Sequence, residues 1–293
     1  MKEYSYLITA GILWGSGHPV IRYVLGHDGA VMTSLHIAFL STLIGLTILL
    51  PAVILGRGLD RFRSMGRQGL LLASLAGCLQ YGLYPILSYT ALGFIPASLN
   101  AVIVGSSPIL IAVFSRLFLG ERLRWVGYGG VCVSFTGLAI LLGDYRLYFS
   151  SWLGPFLSFS AAASAAVYAV SGRHLMKSQD VFAVTAVGAI QGLGIIGLAT
   201  YVGSGFQAIA DSGLLDLMLV GYWGVAVTLG NLLFYLALKR VDAVRAGAFF
   251  FISPVTAAAL SIAVLGEPLS WTLVAGVAVT LLGVRMAQLG VGR

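Results

Sequence analysis

Apolar residues gather along this chain in long unbroken runs, separated by short polar connectors. The runs fall at about 4–25, 31–56, 68–92, 95–119, 124–143, 151–175, 181–203, 213–238, 243–265 and 269–289. Each is close to the ~20 residues that an α-helix needs to cross a bilayer core. Because the runs are continuously apolar and do not alternate with period two, a membrane β-barrel is excluded. The pattern predicts an all-α integral membrane protein of ten transmembrane helices. No connector is long enough for a separate soluble domain.

Composition agrees with that pattern. The 293 residues are 59% hydrophobic and only 9% charged, whereas soluble domains carry roughly 25% charged residues. The net charge of +7 is spread in short basic runs between apolar segments, which suits an anionic membrane face and not nucleic-acid binding. With the N-terminus inside, the inner connectors receive Arg57, Arg61, Arg63, Arg67, Arg116, Arg122, Arg124, Arg173, Lys177, Lys239, Arg240 and Arg245, and the C-terminal end Arg285 and Arg293. The outer side receives only Arg22 and Arg146, beside Asp28, Asp144, Asp211, Asp216 and Glu267. This asymmetry predicts cytoplasmic N- and C-termini in an inner membrane. Lys2 is followed by an apolar run without a cleavage pattern, so the first run reads as an uncleaved span. Cys78 and Cys132 lie in apolar runs with no metal-binding spacing, and no metal or cofactor is expected.

An internal repeat organises the chain. Shifting it by 146 residues lays Tyr89 on Tyr235, Ser107-Pro108 on Ser253-Pro254, Leu119-Gly120-Glu121 on Leu265-Gly266-Glu267, Trp125 on Trp271 and Gly137 on Gly283, without a gap. About a third of the positions agree over the best stretch. The halves are 1–146 and 147–293. Five spans per half is an odd number, so the second copy enters the bilayer inverted, the plan of many secondary transporters.

With these residues in view, the chain resembles the drug/metabolite transporter superfamily, and within it the ten-span EamA-type family. The resemblance rests on LWGSGHPVIR in the first span, YTALGFIPASLNAVIVGSSPILIAVFSRLFLGERL closing the first half, and YLALKRVDAVRAGAFFFISPVTAAALSIAVLGEPL in the second. It implies a ten-helix bundle around a central cavity, worked by alternating access, in a family that exports amino acids, related metabolites or toxic compounds. Relatives often carry an arginine early in the second span, where this chain has His36.

Several residues suit a solute path. Gly15, Gly17 and Pro19 surround Trp14 and His18 in the first span, and Pro19 predicts a kinked or opened turn there. Tyr81, Tyr84, Ser88 and Tyr89 recur near Pro85 in the third span; Asn231 and Tyr235 are one turn apart in the eighth. Ser107-Pro108 and Ser253-Pro254 interrupt equivalent spans and would free the carbonyls of Val104 and Phe250. Paired interruptions of this kind point to a transport site. Ser164, Tyr168 and Ser171 add a face of the sixth span, Ala161–Ala166 suit close helix contact, and Gly188 with Gly192 forms a GxxxG. Glu121 and Glu267 end their helices; Glu121, next to Arg122, reads as a paired interfacial residue that shapes the turn, with proton coupling through either glutamate as the alternative. No acidic residue sits at mid-span, so proton coupling would run through His18 or His36, or the protein is a facilitator or exchanger.

The expected function is alternating-access export of a small solute, a neutral or aromatic amino acid or related metabolite. The alternatives are exchange of sugar phosphates, nucleotide sugars or drugs, and flipping of a lipid intermediate. An intramembrane enzyme lacks a HExxH helix, an Asp pair or a local Ser/His dyad, so no enzymatic activity is expected.

Overall fold

The computed structural model describes residues 2–56, 60–63, 65–119, 124–145, 151–241, 243–267 and 270–290. Their regular structure is entirely helical. The helices are α1 (Lys2–Gly26), α2 (Ser34–Gly56), α3 (Asp60–Arg63), α4 (Gly66–Gly77), α5 (Tyr84–Ala91), α6 (Ala97–Gly105), α7 (Ser107–Leu119) and α8 (Trp125–Tyr145). They continue as α9 (Leu153–Leu175), α10 (Val181–Gly203), α11 (Gln207–Ala210), α12 (Leu214–Leu238), α13 (Ala243–Gly247), α14 (Ile252–Leu265) and α15 (Trp271–Leu289). A π-helical turn, Cys78–Leu83, joins α4 to α5, and a 3-10 turn, Ala248–Phe251, joins α13 to α14.

Among the described residues, six helical segments are long and apolar enough to cross a bilayer: Ser34–Pro51, Gly66–Ala91, Ala97–Phe118, Leu153–Leu175, Val181–Gly203 and Leu214–Leu238. Ile252–Leu265 and Trp271–Gly283 are shorter apolar helices. The ten runs of the sequence thus reduce to six by this measure. One reason is that α1 carries a charged start and the polar stretch Ser16–His18; another is that the ninth run is cut by its 3-10 turn. Leu75, Leu117, Phe118, Leu198, Val202, Met218 and Leu282 point outward with more than half of their surface exposed. Such a surface suits lipid and not water. The chain is a multi-pass membrane protein.

Helix α1 lies against α12 and α14, while α9 lies against α4, α5, α6 and α7. Helix α2 packs on α10 and α12, and α8 on α15. Small residues set these distances. A Cβ at Gly15 would lie 2.5 Å from the carbonyl oxygen of Ser253 and 2.6 Å from Thr256 Cβ. At Gly77 and Gly192, added carbons would meet the backbone of Gly188 at 2.1 Å and of Tyr81 at 2.4 Å. The GxxxG of α10 therefore packs inside this one chain, against the third span.

The α8–α15 contact is reciprocal. A Cβ at Gly137 would strike Thr280 and Gly276, and one at Gly283 would strike Ser134 and Gly130. Ser134 Oγ donates to the carbonyl of Thr280 at 3.2 Å. Each of these partners is the other's counterpart in the repeat, as in a two-fold interface. Trp125 and Trp271, also counterparts, are both almost fully exposed at the starts of their helices.

Polar ties gather at one end of the bundle. Arg22 Nη1 donates to the carbonyl of Leu92 at 2.5 Å, and His27 Nε2 meets Asp216 Oδ1 at 2.9 Å. Glu267 accepts from the start of α6, through Ala97 N–H at 2.8 Å and the Ser98 hydroxyl at 2.6 Å. Glu267 thus caps a helix other than its own. At the opposite end Arg240 pairs with Glu3 at 2.7 Å, and Arg173 donates to Leu238 O at 2.8 Å. Gly120, Glu121 and Arg122 lie outside the described residues.

Candidate functional site

Four helices and two interruptions line a partly open cavity of about 60 Å³. Helix α1 contributes Trp14 and His18; the π-turn and α5 contribute Gln80, Tyr84, Ser88 and Tyr89; α9 contributes Tyr168; α12 contributes Trp223, Val227 and Phe234. The break between α6 and α7 supplies Gly105 and Ser107, the 3-10 turn supplies Phe250 and the start of α14 supplies Ser253. Both interrupted helices therefore reach one cavity. A smaller polar pocket adjoins it, sharing Gln80, Tyr84, Tyr89 and Val227, and is lined further by Tyr81, Asn231, Ser41, Thr42 and Thr228.

Local sequence explains the interruptions. Pro85 sits in the first turn of α5, directly after the π-turn. A π-turn inserts one residue into the helical ladder and is frequent at functional sites. Pro108 sits in the first turn of α7, and Ser106 forms the turn between α6 and α7, with its N–H on the carbonyls of Val102 and Ile103. The carbonyls expected to be free are partly taken: Ser107 Oγ donates to Val104 O, and Ser106 Oγ to Ile103 O at 2.6 Å. Pro254 follows the 3-10 turn inside α14. Helix α1 runs through Pro19 as one helix, with Gly15 packed on α14 and Gly17 on the Trp223 ring.

Of the sequence-selected residues, Trp14, His18, Tyr84, Ser88, Ser107, Tyr168 and Ser253 line the main cavity, and Tyr81 and Asn231 line its polar annex. Tyr235 stands behind the wall, fully buried, its ring stacked on Tyr168 at 4.7 Å between centroids. Ser164 donates instead to the backbone carbonyl of Leu79 at 2.8 Å and so braces the π-turn. His36 is remote from the cavity. Its Nδ1 accepts from Thr33 N–H at 2.9 Å and its Nε2 donates to Gly205 O at 2.8 Å, so both nitrogens serve the entry to α2.

Trp223, Phe234 and Phe250 were not singled out from sequence, because large apolar residues in apolar runs carry no distinguishing signal. Asn100 did carry one, as an amide inside a span. It lies behind His18, completely buried, with Nδ2 at 3.0 Å from His18 Nδ1 and 3.2 Å from Ser88 Oγ. Its Oδ1 accepts from Ser158 Oγ at 2.6 Å.

Among the described residues, no Asp, Glu, Lys or Arg lines either space. What the walls offer is aromatic surface and neutral polar atoms. Trp223 Nε1 donates to Tyr89 Oη at 2.7 Å. Several others, the Trp14 Nε1, the Gln80 Oε1, the hydroxyls of Tyr81, Tyr168 and Tyr235 and both amide atoms of Asn231, meet no partner in hydrogen-bond geometry. Buried polar groups in folded proteins are almost always partnered.

The EamA-like transporter family model matches residues 1–143 and 152–288. A protein of Archaeoglobus fulgidus described as an uncharacterized transporter is 24% identical over 289 residues, covering 97% of this chain and 98% of its own. A Streptantibioticus cattleyicolor protein described as a probable terminal-alkyne amino-acid exporter is 24% identical over 155 residues, 52% of this chain and 50% of its own. One solved crystal structure superposes over 99% of this chain and 98% of its own with a TM-score of 0.72 at 22% identity, a likeness of fold.

Proposed function

Because this chain belongs to the EamA-like transporter family, within the drug/metabolite transporter superfamily, we propose that it is an alternating-access carrier that exports a small amphipathic solute, a neutral or aromatic amino acid or a close metabolite. One observation carries the proposal: both interrupted helices reach one aromatic-lined cavity, whose wall also holds the unpartnered polar atoms of Trp14, Gln80 and Tyr168. Unpartnered donors and acceptors would bind a solute's polar head, and Trp14, Tyr168, Trp223 and Phe250 its apolar part. A wall without fixed charge disfavours sugar phosphates and nucleotide sugars, which need basic partners.

The working architecture is ten spans in two inverted five-helix units, 1–146 and 147–293, in an inner membrane with both termini cytoplasmic. The family-matched stretches lie on either side of that boundary, and the reciprocal α8–α15 contact is what a two-fold relation between units produces. The amino-acid exporter resemblance of one relative supports the solute class. The test is flux from proteoliposomes loaded in turn with labelled aromatic amino acids, neutral aliphatic amino acids and sugar phosphates. Release of amino acids above protein-free liposomes is expected. Release of sugar phosphate alone would replace the proposed solute class.

A further inference from the structure

We propose that His18 is a proton-binding site of the cavity wall, and that proton binding there turns the side-chain amide of Asn100. The proposal rests on the cavity reading above only for its transport half. Four helices meet at this point: α1 with His18, α5 with Ser88, α6 with Asn100 and α9 with Ser158, all buried. The amide hydrogens of Asn100 face His18 Nδ1 at 3.0 Å and Ser88 Oγ at 3.2 Å, while its oxygen accepts from Ser158 at 2.6 Å. With Nδ1 accepting, the neutral imidazole carries its hydrogen on Nε2.

An imidazolium carries a hydrogen on each nitrogen. The second, bound at Nδ1 when that lone pair takes a proton from cavity water, would face an amide that also donates. Turning the amide by half a rotation removes the conflict. The Asn100 oxygen then accepts from His18 Nδ1–H and from the Ser88 hydroxyl, and its nitrogen donates to Ser158 Oγ. Ser158 has one hydrogen to give, and the carbonyl of Gly154 already lies 3.0 Å from its oxygen as the alternative acceptor. The switched arrangement keeps an acceptor for His18 Nδ1–H, for the Ser88 and Ser158 hydroxyls and for one of the two amide hydrogens of Asn100. It also reaches the cavity, because Ser88 lines it and changes from accepting to donating.

The groups that face His18 would not compete for the proton. Helix α5 presents Tyr84 and Tyr89, α9 presents Tyr168, α12 presents Trp223 and α14 presents Ser253. Arg22, one turn along α1, is committed to Leu92 O, and Glu267 caps α6 one turn before Asn100.

The test is nitrogen NMR on the full chain in lipid nanodiscs with labelled histidine and asparagine, the His18 signals assigned by their loss in His18→Gln. At about pH 9 the unprotonated nitrogen should be Nδ1. On acidification to about pH 3, both nitrogens should protonate while the Asn100 amide shifts with the same midpoint. Asn100→Asp should strengthen proton binding at least tenfold, and Asn100→Leu should weaken it at least tenfold. A hydrogen on Nδ1 of the neutral ring, no protonation across that range, or midpoints within threefold in both variants would overturn the proposal. In liposomes, solute-driven proton movement should vanish in His18→Gln. A chain that moves no solute at all would remove the function proposed above while leaving the NMR result to decide this one.

Discussion

Glu267 holds Ser98 twice, through the backbone N–H at 3.2 Å and through the hydroxyl at 2.6 Å, and so closes the first turn of a helix to which it does not belong. Helix α6 starts behind Pro96, whose side chain makes no cap. Exposed N–H groups at a helix start attract a carboxylate, and Gly266, at φ +66°, turns the chain so that Glu267 can supply one. Glu267→Ala should cost about 1–2 kcal/mol of stability, read as a lower melting temperature in detergent. Glu267→Gln should keep part of it, and equal melting of all three chains would reject the cap.

His27 and Asp216 make a pH-dependent tie. The Asp28 carbonyl bonded to Nδ1 and the Asp216 carboxylate bonded to Nε2 both hold the His27 pKa above its ordinary 6.5. A raised folded-state value means that the contribution is fully present below about pH 6.5. It fades as pH rises through the raised value. Asp216→Asn should therefore lower the melting temperature most at pH 5.5–6 and progressively less towards pH 9. A difference that grows with pH would contradict the pairing.

Gly17 leaves room for the Trp223 ring, which would lie 2.2 Å from an added Cβ. Gly17→Ala should displace the ring, break its 2.7 Å bond to Tyr89 and remove most transport, at a stability cost of about 1–3 kcal/mol. Indole fluorescence and flux measure the two effects. Unchanged flux would show that this wall of the cavity does not touch the solute.

Tyr81 offers a contrasting case, since its buried hydroxyl meets no partner in hydrogen-bond geometry. Removing an unsatisfied group is close to neutral for folding, so Tyr81→Phe should melt within about 0.5 kcal/mol of the parent. If the hydroxyl serves the solute, the same variant should raise the transport KM severalfold. A large loss of stability would mean that the hydroxyl is a structural group.

Much of this was legible in the sequence because lipid enforces helices and punishes stray polar groups. The proline-marked interruptions at Ser107 and Ser253, and the polar residues Trp14, His18, Tyr84 and Tyr168, do meet at one cavity. Pro19 lies inside α1, with Gly15 and Gly17 beside it closely packed. Tyr235 was placed one layer too far in, because helical spacing gives a face but not its depth. The Asn100–Ser158 link and the reach of Glu267 join residues far apart in sequence, and no local pattern announces such contacts.

The most direct measurement of the central claim is counterflow of a labelled aromatic amino acid into proteoliposomes, comparing the parent with Val227→Phe. Val227 borders both spaces, and the larger ring would narrow them. Exchange at least tenfold above protein-free liposomes, falling to background in a folded Val227→Phe, is the predicted result. Undiminished exchange in that variant would place the solute's route outside this cavity.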